Sequence, residues 1–160
     1  MPIMDPQSPW LDDDQQELWE ALLTVVIALP AALDRQLRRD ANISNFEYGV
    51  LARLSMADEA TMRLGELARL CDSTLPRLSK VMDRFEDRGW VVRRTDPGDG
   101  RFTLATLEKA GRQKLVESAP GHVAQVKRLV LDPLSATQRR QLSAALTRIA
   151  ATLREDPEAP

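Results

Sequence analysis

Residues 73–101, STLPRLSKVMDRFEDRGWVVRRTDPGDGR, decide the fold. Leu75, Leu78, Val81, Met82 and Phe85 recur at three- and four-residue spacing, which predicts one buried stripe on a helix. Thr74, Arg77, Ser79, Lys80 and Arg84 lie largely off that stripe. Asp72 or Ser73 is expected to cap this helix, with Pro76 in its first turn, where a missing N–H costs little. Gly89 is a natural stop. Trp90–Arg94 and Phe102–Leu107 read as strands, the second with Phe102, Leu104 and Thr106 facing inward. Thr95–Gly100 between them is dense in turn formers, so the pair is a β-hairpin.

Working outward, Leu64, Leu67, Ala68 and Cys71 form the inner face of a short helix from Gly65 to about Leu70. Met62-Arg63-Leu64 before it suits a short strand. Ser44-Asn45-Phe46-Glu47 is a capping box, in which the serine oxygen accepts a free N–H and the glutamate reaches back. It opens a helix through Tyr48, Val50, Leu51 and Leu54. Two helices joined by a short polar turn, the second with a polar and basic outer face, make a helix-turn-helix. The hairpin that follows is its wing.

Long helices flank this unit. Asp12, Asp13 and Asp14 mark the start of one that carries Leu18, Leu22, Val25, Val26, Leu29, Leu33 and Leu37, with Pro30 expected to kink it. After the wing, Glu108 to Leu131 reads as helix with Leu115, Val116, Val123, Val126 and Val130, bent or broken at Pro120-Gly121. Ser135–Gln138 is a second capping box, opening a last helix with Leu142, Leu146, Ile149 and Leu153 on one face. The fold class is mainly α with a small β-wing: a winged helix-turn-helix core flanked by N- and C-terminal dimerisation helices. The expectation is one domain over residues 1–160, with a winged lobe at 44–107, dimerisation helices at 10–40 and 108–154, and disordered tails at 1–9 and 155–160.

Bulk properties agree with a globular chain: 43% hydrophobic and 29% charged residues in 160. No apolar run approaches the roughly 18 residues of a membrane span, so no membrane is expected and the location is read as cytoplasmic. Net charge is −2, but residues 1–62 hold 4 basic and 11 acidic side chains, whereas 63–112 hold 11 and 8. The positive excess coincides with the helix and wing, and local field governs the approach of phosphate. One cysteine, Cys71, and one histidine, His122, leave no disulfide and no Cys- or His-based metal set, and no cofactor is expected. There is no Ser-His-Asp set and no phosphate loop, so an enzyme is not expected.

From about Leu18 to Leu153, in element order and lengths, the chain resembles the MarR family of winged helix-turn-helix regulators. The resemblance is most specific at Ser73–Leu78, at Met82–Arg94, and at Asp96-Pro97-Gly98-Asp99-Gly100-Arg101, which is similar to the family's Asp-x-Arg wing motif. Leu107 is followed by Glu108, where the family often has Leu-Thr, and Pro76 is a departure within the recognition helix.

Arginine reads guanine O6 and N7 in a bidentate way, and Ser/Thr serve several bases. Thr74, Arg77 and Ser79 or Lys80 are therefore the base-contact candidates. Ser73, at a helix N-terminus, suits a phosphate, and Lys80 and Arg84 suit phosphates as well. Arg101 at the hairpin tip suits a narrow minor groove, with Asp99 fixing its direction. Arg93 and Arg94 either face the DNA backbone or serve as strand-edge charge. Two reading heads fit a palindromic operator in double-stranded DNA; the stripes through Leu18, Leu22, Val25 and Leu29 and through Leu142, Leu146, Ile149 and Leu153 pack either within one chain or between two, and the resemblance implies a homodimer. The resemblance implies a repressor relieved by a small aromatic or phenolic ligand, in a pocket for which Trp19, Leu22, Phe46 and Met62 are candidate linings. Two alternatives are a helical module whose winged helix binds protein, and a redox-responsive regulator acting through Cys71, whose bland reading is a buried, inert thiol.

Overall fold

The computed structural model describes residues 10–155; the expected tails at 1–9 and 156–160 lie outside them. Helix α1 spans Asp13–Ala41, α2 Asn45–Met56, α3 Leu64–Leu70 and α4 Leu75–Asp87. Strand β1 is Thr61–Arg63, β2 is Val91–Thr95 and β3 is Thr103–Leu107. Helix α5 is Lys109–Val126, a π-helical turn follows at Lys127–Leu131, and α6 is Ala136–Glu155. Glu155, assigned to the tail by its sequence, is the last residue of α6. The chain falls into two compact units, up to Gly121 and from His122 onward.

In the first unit the core gathers Leu37 of α1, Ile43, Val50, Leu51 and Leu54 around α2, Leu67 of α3, and Leu78, Met82 and Phe85 of α4. The sheet is antiparallel in the order β1-β3-β2. Thr61 lies opposite Thr106, and their hydroxyls meet at 2.8 Å. The inward face of β3 is Ala105 and Leu107, with Ala105 fully buried, while Phe102 stays exposed. This reverses the expected Phe102/Leu104/Thr106 phase, because the core packs against the other side of the strand and a small alanine fits it. Leu75 is likewise not in the α4 stripe: it is half exposed at the first helical position.

Both long helices with an internal proline run unbroken. Helix α1 passes through Pro30, and α5 passes through Pro120 instead of breaking there. A proline removes one donor from the ladder, a loss that neighbouring turns absorb. Beside Pro120, Gly121 lies where an added Cβ would come within 3.0 Å of the Gln36 amide on α1. Gly111 is tighter still: a Cβ there would sit 2.3 Å from the Trp90 carbonyl oxygen. Only glycine lets α5 lie against the start of β2.

The sequence signals at the starts of α1, α2 and α6 hold. Asp12 and Gln15 form a capping box for α1, Ser44 and Glu47 one for α2, and Ser135 and Gln138 one for α6. Most apolar side chains of α1 remain open, however. Leu37 is buried, but Leu18, Val25, Val26 and Ile27 are 54–71% exposed. An 18-residue window of α1 averages a hydropathy of 1.4, so by length and composition this helix does qualify as a membrane span. Counting uninterrupted runs overlooks this, since from Leu18 to Leu37 the charges are only Glu20, Asp34 and Arg35.

In the second unit, Arg139 donates to the carbonyls of Leu131 and Leu134 and ties the π-helical turn to α6. Val130, Leu131 and Leu134 with Leu142, Leu146 and Ala150 line an apolar groove of about 440 Å³. The whole expected stripe Leu142, Leu146, Ile149 and Leu153 is 41–61% exposed.

Candidate nucleic-acid interface

Helices α3 and α4 are joined by Cys71–Thr74. Asp72 adopts φ 47°, a left-handed conformation that its short polar side chain tolerates. The Ser73 N–H returns to the Ala68 carbonyl at 2.9 Å. The helix cap is Thr74, one residue later than expected, because Asp72 is used for the turn itself. The Thr74 hydroxyl accepts the Arg77 N–H, and the Ser73 hydroxyl donates to the Thr74 carbonyl. Pro76 occupies the first turn, as its sequence position implies.

The basic side chains of α4 and β2 then divide. Arg77 is exposed, with its guanidinium 4.4 Å from the centre of the Phe46 ring. Lys80 is exposed. Arg84, a phosphate candidate, is paired with Glu47: its Nε and Nη2 donate to Oε1 at 3.2 and 2.9 Å. Burial pushes the Glu47 carboxyl up, but the Ser44 N–H and Arg84 outweigh it and hold its pKa below the ordinary glutamate value. Arg93 also turns inward. It binds Glu86 through its backbone N–H and its guanidinium, reaches Asp83 at 2.6 Å and touches the Ser79 hydroxyl. It fastens the end of α4 to β2, and it takes Ser79, a base-contact candidate, into that network. Arg94 points to solvent on the opposite face of the strand and has no ion pair among the described residues.

The wing turn is built on Asp96, which sequence reading passed over. Its Oδ1 accepts the Gly98 N–H at 2.8 Å, and its Oδ2 accepts Arg63 of β1 at 2.7 Å. The Gly98 N–H and Arg63 hold its pKa below the usual aspartate value. The available signal was the spacing of Asp-Pro-Gly, which places a carboxylate two residues before a free N–H. Asp99 and Arg101 pair at 2.6 Å, as expected, and the Arg101 side chain is 83% exposed. Phe102 lies beneath Arg63 at 4.4 Å and beside Arg101 at 5.7 Å. A groove of about 620 Å³ opens between α4 and the wing, lined by Leu75 and Ser79 on one side and by Arg63, Arg101, Phe102 and Thr103 on the other.

The four candidate ligand-pocket residues sit on three elements, α1, α2 and β1. Trp19 and Leu22 are on α1, Phe46 is under Arg77, and Met62 packs on the core from β1. Neither groove described above includes any of them. Cys71 is half-buried against the core, and burial raises its thiol pKa.

Two helices crossing a short turn, a capped second helix and a three-stranded wing define the winged helix-turn-helix class. Residues 42–101 match the sequence model of the MarR family. A MarR family transcriptional regulator of Streptomyces coelicolor, Sco3205, solved in complex with DNA, is 34% identical; the match covers 94% of this chain and 98% of that one, with a TM-score of 0.88. AbsC, a second MarR family regulator of that organism, is 31% identical over 93% of this chain and 100% of its own, with a TM-score of 0.86. YxaD of Bacillus subtilis, an HTH-type transcriptional regulator, is 33% identical over 99 residues, 62% of this chain and 68% of that protein. The chain belongs to the MarR family of transcriptional regulators.

Proposed function

We propose that this regulator binds a palindromic operator in double-stranded DNA as a homodimer and represses transcription until a small ligand releases it. The observation that carries the DNA reading is the groove between α4 and the wing, with the exposed Arg101 aimed by Asp99 at its rim. Arg77 and Lys80 serve the major groove, and Ser73, Thr74 and Ser79 play lesser parts because their hydroxyls already have local partners. Arg101 enters the minor groove and Arg94 meets phosphate. Arg84 and Arg93 hold the head together instead of touching DNA.

The homodimer reading rests on the exposed apolar rows of α1 and α6. Such rows mark interaction surfaces, and in a regulator of this family the membrane-like hydropathy of α1 is that of an interface helix. Residues 10–40 and 108–154 then form the dimerising part, residues 44–107 the reading lobe, and the protein works in the cytoplasm. An aromatic or phenolic effector follows from family likeness, with Trp19, Leu22, Phe46 and Met62 as its candidate linings. The raised Cys71 pKa disfavours the redox alternative, and the basic rim disfavours a protein-binding wing.

The test is fluorescence anisotropy with DNA from upstream of the gene, as a salt series. Specific binding is expected, with Arg101→Ala lowering the salt slope by about 1 per protomer. An unchanged slope refutes the wing's role. Release of bound DNA by members of a panel of small phenols checks the effector reading, and absence of release by all of them overturns it.

A further inference from the structure

Three consecutive residues at the start of α2 carry three different tethers. The Asn45 N–H donates to Asp34 Oδ1 of α1 at 2.9 Å. The Phe46 ring lies under Arg77, and the Glu47 carboxylate, itself held by the Ser44 N–H at 2.7 Å, grips Arg84. Arg77 and Arg84 are seven residues apart on α4, two turns along one side of the helix. Both guanidinium groups of that side therefore rest on one turn of α2.

Their situations differ in a way that matters for recognition. Two Arg84 donors are engaged by a carboxylate and a third by the Lys80 carbonyl. The Arg77 guanidinium lies over a ring and has no ion pair among the described residues, so its N–H donors stay available for O6 and N7 of guanine. A free arginine has several rotatable bonds and samples many directions. Stacking before binding restricts that sampling and lowers the ordering cost when DNA arrives.

We propose that Phe46 is a positioning residue that sets the direction of Arg77, so that α2, which offers no base contact itself, determines part of the sequence preference. This rests on the reading of α4 as the DNA-reading helix. Glu47 complements it by fixing the turn on which the ring sits.

The experiment uses the full-length protein and a panel of operator duplexes, each with one base pair changed. Wild type must first discriminate its site from scrambled DNA; if it does not, the reading of α4 fails and takes this inference with it. Given discrimination, Phe46→Leu is expected to weaken preference about two- to five-fold at the same base pairs that Arg77→Ala affects. The Phe46→Leu/Arg77→Ala double variant should lose no more than Arg77→Ala alone, and Phe46→Tyr, which keeps the ring, should retain the wild-type profile. Thermal midpoints of each variant verify folding, and Phe46→Met is scored in the same way if leucine does not fold. An unchanged profile in Phe46→Leu, effects that add to those of Arg77→Ala, or equal loss in Phe46→Tyr would overturn the proposal while leaving the reading of α4 intact.

Discussion

Replacing Glu47 by glutamine removes one negative charge from a nearly buried position and leaves the side chain's size almost unchanged. In the wild type the carboxylate accepts the Ser44 N–H at 2.7 Å and two Arg84 donors at 2.9 and 3.2 Å. A hydrogen bond to a charged group contributes about 1.5–3 kcal/mol. The Arg84 side chain is 50% exposed, so water screens its share. The glutamine oxygen still accepts one donor, which leaves an expected loss of about 1–2 kcal/mol. The pH dependence adds a second constraint. Glu47's pKa in the folded state lies below the unfolded value of 4.5, so its stabilisation is complete above that range and is lost as pH falls through the lower folded value. Urea unfolding followed by circular dichroism, at one fixed protomer concentration, measures both quantities. The Glu47→Gln variant should be less stable at pH 7, and the gap should close on acidification below pH 4.5. A difference within about 0.5 kcal/mol at pH 7, or a gap that stays constant into acid, would refute the clamp.

Gly111→Ala should lower stability by about 1–3 kcal/mol, read as a fall in thermal midpoint, since the new methyl meets the Trp90 carbonyl at 2.3 Å. Arg93→Ala and Arg94→Ala should separate: the first costs about 1–2 kcal/mol with an unchanged salt slope of DNA binding, and the second leaves stability within about 0.5 kcal/mol and lowers the slope by about 1. Leu146→Asp places a charge on an α6 side chain that is 45% exposed; sedimentation equilibrium should show dimers for wild type and monomers for the variant.

The elements were legible in the sequence where the signal is local. The capping boxes at Ser44 and Ser135 depend on a side chain and an N–H three residues away, so spacing alone fixes them. Asp99 and Arg101 are legible for the same reason. Arg84 was not, because its partner Glu47 is 37 residues distant, and no spacing rule joins them. Arg93 fails similarly: as sequence it is one of two adjacent arginines, and only the docking of α4 on β2 tells which one turns inward. The β3 phase was misread because Phe102 outranks Ala105 in hydrophobicity, whereas its ring serves as a platform for Arg63. Gly111 carries no pattern at all; its need arises from the approach of a carbonyl 21 residues earlier in the chain.

The central place of β3 governs the order in which this protein is made ready on the ribosome. Neither β1 nor β2 pairs with the other; each pairs only with β3. The contact of Thr61 with Thr106 closes a span of 45 residues, an entropic cost met only when the later strand exists. A nascent chain that has emerged as far as Arg94 carries every basic residue of α4 but has no sheet to hold the wing. The sheet of the wing is therefore complete only with Leu107, and a message truncated before that codon yields α4 without the strand that holds the wing to it.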